Sequence, residues 1–392
     1  MEEDNDLKIK ELLTRGVEEI IDKDNLEKRL KSGKELRIKL GIDPTSPNIH
    51  IGRAVPLLKL RDFQKLGHKV IFIIGDFTGV IGDTSDKESE RPMIQSEQVK
   101  KNMENYINQA SKILDISKCE VHYNSEWLER LGYREIGEHA DVFSVSNFIA
   151  RDNIKRRLDA GKRVSLREVL YPLMQGYDSV AIKADVELGG TDQKFNLLAG
   201  RELQKHYNQE PQDILTNPLI EGLDGRKMSS SWGNVVNVFD EPNDMYGKIM
   251  SLKDEYIIKY FTFTTRVPLS QVDEYKKSLD EGANPRNIKM KLAYHLVSFY
   301  HNEKEAEEAQ NYFINTFIKK ETPQEIEEFK PTNYNLVSFL IESQLVTSKS
   351  EARRVVGQGG VKINGEVLRD LEYNLSIGDV IQKGKINFIK VI

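Results

Sequence analysis

Three observations predict an α/β protein on a parallel sheet, followed by a helical region and a small mixed tail. Strand-like apolar runs alternate with amphipathic helical stretches over residues 36–220. One run, KVIFIIGD (69–76), is almost continuously apolar, as expected of a strand covered on both faces. From about 240 the pattern becomes helical to about 329. FKPTNYN (329–335), with Pro331 and polar turn residues, then reads as a linker to a tail rich in turn signals. The chain has 392 residues, too many for one typical core, so two or three domains are expected.

Composition narrows the class. With 39% hydrophobic and 30% charged residues, collagen, coiled coil and wholesale disorder are excluded. No apolar run approaches the ~20 residues of a membrane span. The opening MEEDNDLKIKELL has no apolar stretch, so no signal peptide is expected. The single cysteine, Cys119, can form neither an internal disulfide nor a multi-cysteine metal site, which suits a reducing cytosol. The 57 Lys and Arg are outnumbered by 62 Asp and Glu, giving a net charge of −5, so any nucleic-acid contact must be local.

The elements follow in order. Residues 1–35 carry Leu7, Leu12, Leu13, Val17, Ile20 and Ile21 at helical spacing and read as an amphipathic helix. LRIKLGID (36–43) reads as a strand, broken by PTSPN. The stretch from His50 reads as a helix stopping at Gly67, before KVIFIIGD. Strand, helix, strand is a right-handed crossover, and its second strand opens a glycine-rich turn. EQVKKNMENYINQASKIL reads as helix, KCEVHYNS as strand and SLREVLYPLMQGYDSVAI as helix. ADVELGG (184–190) reads as strand, TDQKFNLLAGRELQKHY as helix and DILTNPLI as the last strand. The tail reads as two short helices and then hairpins turned at Asn364-Gly365 and Gly378-Asp379. There is no internal repeat and no low-complexity tract.

Two motifs carry the first chemistry. DPTSPNIHIGR (43–53) joins a strand end to a helix start, where free N–H groups and the helix dipole attract anions. Gly52 lets a flat ring or a phosphate approach the backbone, and His50 is placed to donate to a phosphate. The plainer alternative is a strand–turn–helix capped by Asn48. GRKMSSSWGN (225–234) puts Lys227 on a Gly- and Ser-rich loop that can close on a polyphosphate. The plainer alternative there is a polar surface loop.

Together these motifs resemble the class I aminoacyl-tRNA synthetases, whose paired signatures are His-Ile-Gly-His and Lys-Met-Ser-Lys-Ser. Here they stand as His50-Ile51-Gly52-Arg53 and Lys227-Met228-Ser229-Ser230-Ser231. The tyrosyl branch is the closer match. GIDPT (41–45), GDFTGVIGD (75–83), YPLMQGYDS (171–179), GGTDQ (189–193) and the tail extend the resemblance over nearly the whole chain.

The resemblance implies a doubly wound, Rossmann-like catalytic domain at 1–235, with a helical dimer-interface insertion at about 125–170. It further implies a helical domain at 236–330 and, at 331–392, an RNA-binding domain like that of the fourth ribosomal small-subunit protein. It implies tyrosine activation with ATP, accompanied by Mg²⁺ and with no protein-bound structural metal. Transfer to tRNA(Tyr) follows, by a cytoplasmic homodimer without membrane partners. No side-chain nucleophile is needed: the tyrosine carboxylate attacks the α-phosphorus, and catalysis is positioning plus charge stabilisation.

Residue by residue, the resemblance puts Thr45 and His50 on the ATP phosphates, and Lys87, Arg91 and Lys227 on the departing pyrophosphate. Asp43, Gly52, Arg53, Gly190, Asp192, Met228, Ser229 and Ser230 would complete the ATP site. Tyr171 and Gln175 would hold the substrate ammonium with Asp83, and Gln193 would reach the tyrosyl carbonyl. Tyr171, Gln175 and Asp178 are spaced i, i+4, i+7, so they share one helical face. Asp178 would accept the phenol hydroxyl, and phenylalanine would leave that buried carboxylate unpaired. In the tail, Lys349, Arg353 and Arg354 would contact RNA phosphates. Bland alternatives remain for each: a satisfied core network, a capping aspartate, a solvated loop or helix face.

The chain departs from the pattern at three positions. Arg53 replaces the second signature histidine, and Ser230 the second signature lysine. Lys39 stands where many bacterial tyrosyl enzymes have a tyrosine that touches the substrate phenol; it could face away or pair with a carboxylate. A tryptophanyl enzyme is one alternative, less suited to a carboxylate at Asp178. A catalytically weakened RNA-binding regulator is the other, and five intact polar positions (Asp83, Gln175, Asp178, Asp192, Gln193) argue against it.

Overall fold

The computed structural model describes residues 2–85, 93–318, 326–384 and 387–392. They form two compact units, Met1–Ala306 and Glu307–Ile392.

The first unit is built on a six-stranded sheet in the order β1-β6-β5-β2-β3-β4. Strand β2 (Arg37–Ile42) leads through helix α3 (Ile51–Lys65) to β3 (Lys69–Ile74), the predicted crossover, with Lys39 paired to Ile71. Helices α4 (Asp76–Ile81), α5 (Ser96–Met103) and α6 (Tyr106–Ser111) precede β4 (Glu120–Tyr123), which lies beyond β3. Short helices α7 (Ser125–Leu128), α8 (Tyr133–Asp141), α9 (Val145–Ile149) and α10 (Asp152–Asp159) follow, then the long α11 (Leu166–Ile182). The chain next crosses back. Strand β5 (Val186–Gly190) pairs with the other side of β2, and α12 (Lys194–His206) leads to β6 (Asp213–Asn217). The winding direction therefore reverses between β2 and β5, the place where doubly wound sheets open a crevice at their strands' carboxyl ends. Helices α13 (Pro242–Met250), α14 (Ile257–Thr264), α15 (Leu269–Asp280) and α16 (Pro285–Tyr300) form the predicted helical region around buried Tyr246, Tyr260 and Phe261.

Local expectations fail in instructive places. Residues 1–35 are not one helix. Helix α1 (Glu2–Leu12) ends before Gly16, which sits at φ 61. Residues Glu19–Ile21 form β1, antiparallel to β6, before α2 (Lys23–Lys31). The β-branched Val17, Ile20 and Ile21 fit a sheet edge as readily as a helix face. The helix expected over 97–114 splits into α5 and α6. Asn102 donates to the Pro44 carbonyl and Gln109 to the Pro47 carbonyl, so the two pieces follow that irregular loop. The glycine-rich turn after β3 closes into α4, whose Phe77 N–H donates to Asn124 Oδ1.

The second unit begins within α17 (Glu303–Phe313). Its sheet runs β7-β11-β10-β8-β9. Strand β7 (Glu327–Phe329) precedes helices α18 (Leu336–Glu342) and α19 (Lys349–Gly357). Strands β8 (Val361–Ile363), β9 (Glu366–Val367), β10 (Val380–Lys383) and β11 (Asn387–Val391) complete it. Because β7 pairs parallel with β11, this sheet starts at Glu327, at the end of the stretch expected to be helical and just before the segment read as a linker. Asn364 (φ 51) and Gly365 (φ 90) turn the first hairpin as predicted. The second hairpin is β10–β11, with Lys383 opposite Asn387, so it does not turn at Gly378-Asp379. That pair instead leads into β10: the Gly378 N–H donates to the Val391 carbonyl, and Asp379 receives the Asn364 amide.

Candidate active site

A pocket of about 290 Å³ opens at the carboxyl ends of β2, β3 and β5, at the reversal of the sheet. It gathers residues from stretches far apart in sequence: Asp43, Thr45, His50, Gly52 and Arg53; Asp83; Tyr171, Gln175 and Asp178; Gly190, Asp192 and Gln193; and Lys227 through Ser230. Apart from Lys87 and Arg91, which lie outside the described residues, every expected ATP and tyrosine residue lines it.

One wall is built on the start of α3. The cap is His50, not Asn48: its Nδ1 accepts the Arg53 N–H at 3.3 Å. Burial, with Arg53 and Lys227 nearby, lowers the His50 pKa to about 3. The ring is thus neutral at physiological pH, and with Nδ1 accepting, its proton belongs on Nε2, a donor that carries no net charge. A Cβ on Gly52 would lie 3.0 Å from His50 Nδ1 and 3.2 Å from Met228 Sδ, so only glycine fits without displacement. The Gly52 N–H points at that sulfur, 3.3 Å away. Arg53, the signature departure, donates to Thr45 Oγ1 (2.9 Å) and Tyr106 OH (3.1 Å), which brings a fixed cation to the pocket rim. Lys227 is paired to Asp192 at 2.9 Å. Asn234 ties down the loop by accepting the Ser229 N–H and donating to Asp224 and the Lys227 carbonyl. Ser230 is exposed, 3.5 Å from Ser46 Oγ.

The opposite chemistry is a buried polar network around α11. Tyr171 donates to Asp43 Oδ2 at 2.7 Å, and Thr78 donates to Asp43 Oδ1 at 2.7 Å. A Cβ on Gly75 would collide with Asp43 Oδ1, so this approach requires glycine. Burial raises the Tyr171 pKa further above its ordinary value, so the phenol stays protonated. Gln193 donates to Asp83 Oδ2 at 2.7 Å, and burial raises the Asp83 pKa. Gln175 Oε1 accepts the Asn196 amide at 3.0 Å. Asp178 is 3% exposed. Its Oδ1 accepts Trp127 Nε1–H at 2.7 Å and its Oδ2 the Asn124 amide at 3.3 Å. Desolvation pushes its pKa up to about 7, against the opposing pull of Lys39 and the two donors.

Sequence reading missed Thr78, Asn124 and Trp127. Asn124 and Trp127 directly follow β4, at a carboxyl end of a parallel strand, and that position was the available signal. Lys39 does not reach toward the substrate region. It is buried and paired with Glu187 on β5 at 2.7 Å. In the second unit, Lys349, Arg353 and Arg354 are all exposed on α19, whose Ala352 and Val356 face the core.

Comparison with known proteins agrees with this geometry. The profile of class I tRNA synthetases (W and Y) matches residues 31–318, and that of the tyrosine–tRNA ligase SYY-like C-terminal domain matches residues 316–390. Tyrosine–tRNA ligase of Thermotoga maritima is 45% identical over 385 residues, covering 97% of this chain and 96% of that protein. Tyrosine–tRNA ligase 2 of Clostridium acetobutylicum is 46% identical over 389 residues, covering 97% of each. Among solved structures, the fold is shared with a C-terminally truncated Aspergillus nidulans mitochondrial tyrosyl-tRNA synthetase. That match has a TM-score of 0.67 at 21% identity and covers 79% of this chain and 94% of that one. An Archaeoglobus fulgidus tyrosyl-tRNA synthetase complexed with L-tyrosine gives 0.62 at 22%, covering 78% and 99%. With a pocket at the sheet reversal, both signature motifs on its rim and relatives of this identity over nearly its full length, the chain belongs to the tyrosyl-tRNA synthetases of class I.

Proposed function

We propose that the pocket joins tyrosine to ATP, giving tyrosyl-adenylate and pyrophosphate, and that the chain then passes tyrosyl to the terminal adenosine of tRNA(Tyr). The observation that carries the reading is Asp178: a buried carboxylate held by Trp127 and Asn124 at the back of the same pocket that carries His50 and Lys227. A phenol hydroxyl satisfies such an acceptor, and a phenyl ring does not.

The roles follow from the groups. The Asp178 carboxylate accepts the substrate hydroxyl. Tyr171, Gln175 and Asp83 supply oxygens for the ammonium, and Gln193 turns its amide toward the carbonyl. Thr45, neutral His50, Arg53 and Lys227 face the phosphates, where negative charge grows as the carboxylate attacks the α-phosphorus and pyrophosphate departs. For Lys227 to act there it must leave Asp192, which is then free to accept from the ribose hydroxyls. Gly190 and the 228–230 segment border the nucleotide. Magnesium belongs to this scheme as part of the ATP substrate. Asp43 is engaged by Tyr171 and Thr78, and Asp192 turns to the ribose once Lys227 leaves it, so the chain's own share of phosphate stabilisation is cationic and hydrogen-bonding.

The chain would act as a cytoplasmic homodimer. Tyr133 (96% exposed), Val145 (74%) and Leu166 (69%) place apolar surface on and beside the 125–170 insertion, which suits a second copy. No described helix is long and apolar enough to cross a membrane. Lys349, Arg353 and Arg354 supply the tRNA backbone contacts.

The test is amino-acid-dependent ATP–pyrophosphate exchange. Exchange with tyrosine alone is expected. Exchange with tryptophan would move the chain to the sister enzymes, and none in a folded sample would favour an RNA-binding regulator.

A further inference from the structure

The buried pair Lys39–Glu187 is not needed to hold the sheet together. Lys39 is 0% and Glu187 1% exposed, and they face each other across β2 and β5 in register, with Nζ and Oε1 at 2.7 Å. Desolvating two charges costs about what their attraction returns, so a well-packed apolar pair would serve stability as well. Every donor and acceptor is nevertheless used. The other Lys39 protons go to Ser179 Oγ at 2.8 Å and the Gln175 carbonyl at 2.9 Å. Glu187 Oε2 accepts from Ser179 Oγ (3.0 Å) and Gln212 Nε2 (2.5 Å), and its Oε1 lies 3.5 Å from Gln175 Nε2. Both helix anchors, Gln175 and Ser179, sit one turn apart on α11 and bracket Asp178.

We propose that Lys39 and Glu187 are the positioning residues of the tyrosine site, pinning the 175–179 turn of α11 so that the Gln175 amide and the Asp178 carboxylate meet the substrate in fixed geometry. This rests on the tyrosine reading of the pocket. The pair also sets the field at Asp178. Lys39 on β2 is the cation acting on it, and Glu187 on β5 the opposing anion. Trp127 on α7 and Asn124 at its N-terminal cap bring only neutral donors; Thr78 on α4 is neutral, and Tyr171 shares the helix. The pair thus tunes the phenol acceptor from behind.

The test uses the full chain in tyrosine-dependent exchange, recording KM for tyrosine, KM for ATP and the pH dependence of kcat/KM for tyrosine. Thermal unfolding monitors folding. Glu187→Gln removes the anion and should shift the acidic limb of the profile to lower pH. Lys39→Met/Glu187→Gln removes both charges, of which the lysine acts more strongly on Asp178, and should shift that limb to higher pH. Both should raise KM for tyrosine several-fold and leave KM for ATP within about twofold. Shifts of opposite sign cannot come from loosened packing alone. A parent protein without tyrosine-dependent exchange would sink the tyrosine reading itself. A parent that exchanges, with folded variants whose limb and tyrosine KM do not move, or move alike, would overturn the positioning role. If the double variant does not fold, the sign of the Glu187→Gln shift decides alone.

Discussion

The pocket and the C-terminal unit bury opposite kinds of side chain. Around the pocket, Lys39, Asp178, Glu187, Asn196 and Gln212 are each no more than 3% exposed, in chains of hydrogen bonds. In the C-terminal unit, Leu336, Phe339, Leu340, Val356, Ile381 and Val391 are fully buried, and the cations of α19 stay in water. An apolar core tolerates exchange of one hydrophobic residue for another of like volume. A buried polar network does not, because removing one partner strands another. The first region therefore carries chemistry at the expense of stability, and the second presents charge around a cluster of apolar side chains.

The largest test of this contrast removes one region. Ending the chain at Ile318 should leave tyrosine-dependent exchange near the parent level while lowering tRNA charging by on the order of 10²-fold, because the cations that neutralise tRNA phosphates go with the tail. Charging that survives truncation, or exchange that disappears from a folded fragment, would break the comparison. Next, Asp178→Ala should cut kcat/KM for tyrosine by about 10–10²-fold and narrow the gap to phenylalanine, since a hydrogen bond to a charged acceptor contributes about 1.5–3 kcal/mol. An unchanged tyrosine-to-phenylalanine ratio would mean that Asp178 does not read the phenol. Lys227→Ala should slow adenylate formation by roughly tenfold or more while changing the melting temperature little, because its pairing with Asp192 is partly exposed. Single-turnover kinetics separates that from binding.

A smaller effect sharpens the contrast through stability. Asp178 has its folded pKa raised to about 7, so between the unfolded value and 7 the folded state binds the extra proton. Stability from this group therefore falls as pH rises through that window, and its ionisation is a full burden above it. Asp178→Asn should then raise the unfolding free energy by roughly 1–2 kcal/mol at pH 8, with the gain gone at pH 4. Chemical denaturation at the two pH values checks this. A gain independent of pH would assign it to packing. Last, replacing Lys349, Arg353 or Arg354 singly by alanine should leave exchange and folding unaltered. Each replacement should flatten the salt dependence of tRNA binding by about 0.7–0.9 in slope for every phosphate that the parent side chain neutralises. A slope that does not move would clear that residue of a role at the phosphates.

Much of the site was legible because its residues sit in local signatures. A strand ending in Asp43-Pro44-Thr45 and a helix opening at His50-Ile51-Gly52 announce an anion-binding corner, and the i, i+4, i+7 spacing puts Tyr171, Gln175 and Asp178 on one face. The sheet strands were legible for the same reason: apolar runs such as 69–74 have few alternatives once both faces are covered. Less legible were features whose partner lies far along the chain. Helical periodicity over 1–35 could not show that Ile20 pairs with Leu215, because β-branched residues satisfy either pattern until a sheet edge is present. The tail's second turn was misplaced because Gly378-Asp379 and Gly384 both carry turn chemistry, and only the register of β10 against β11 selects between them.

By itself, then, the sequence displayed the motifs, and the family resemblance that they carry named the residues that meet at the strand ends, since such signatures are local stretches of chain. Tertiary structure decided what state those residues are in. His50 is a neutral cap because the pocket wall desolvates it beside Arg53 and Lys227. Lys39 is a buried partner of Glu187 because parallel pairing of β2 with β5 brings together residues 148 positions apart. Protonation and pairing depend on burial and on distances through space, and neither quantity is written in the spacing of residues along a chain.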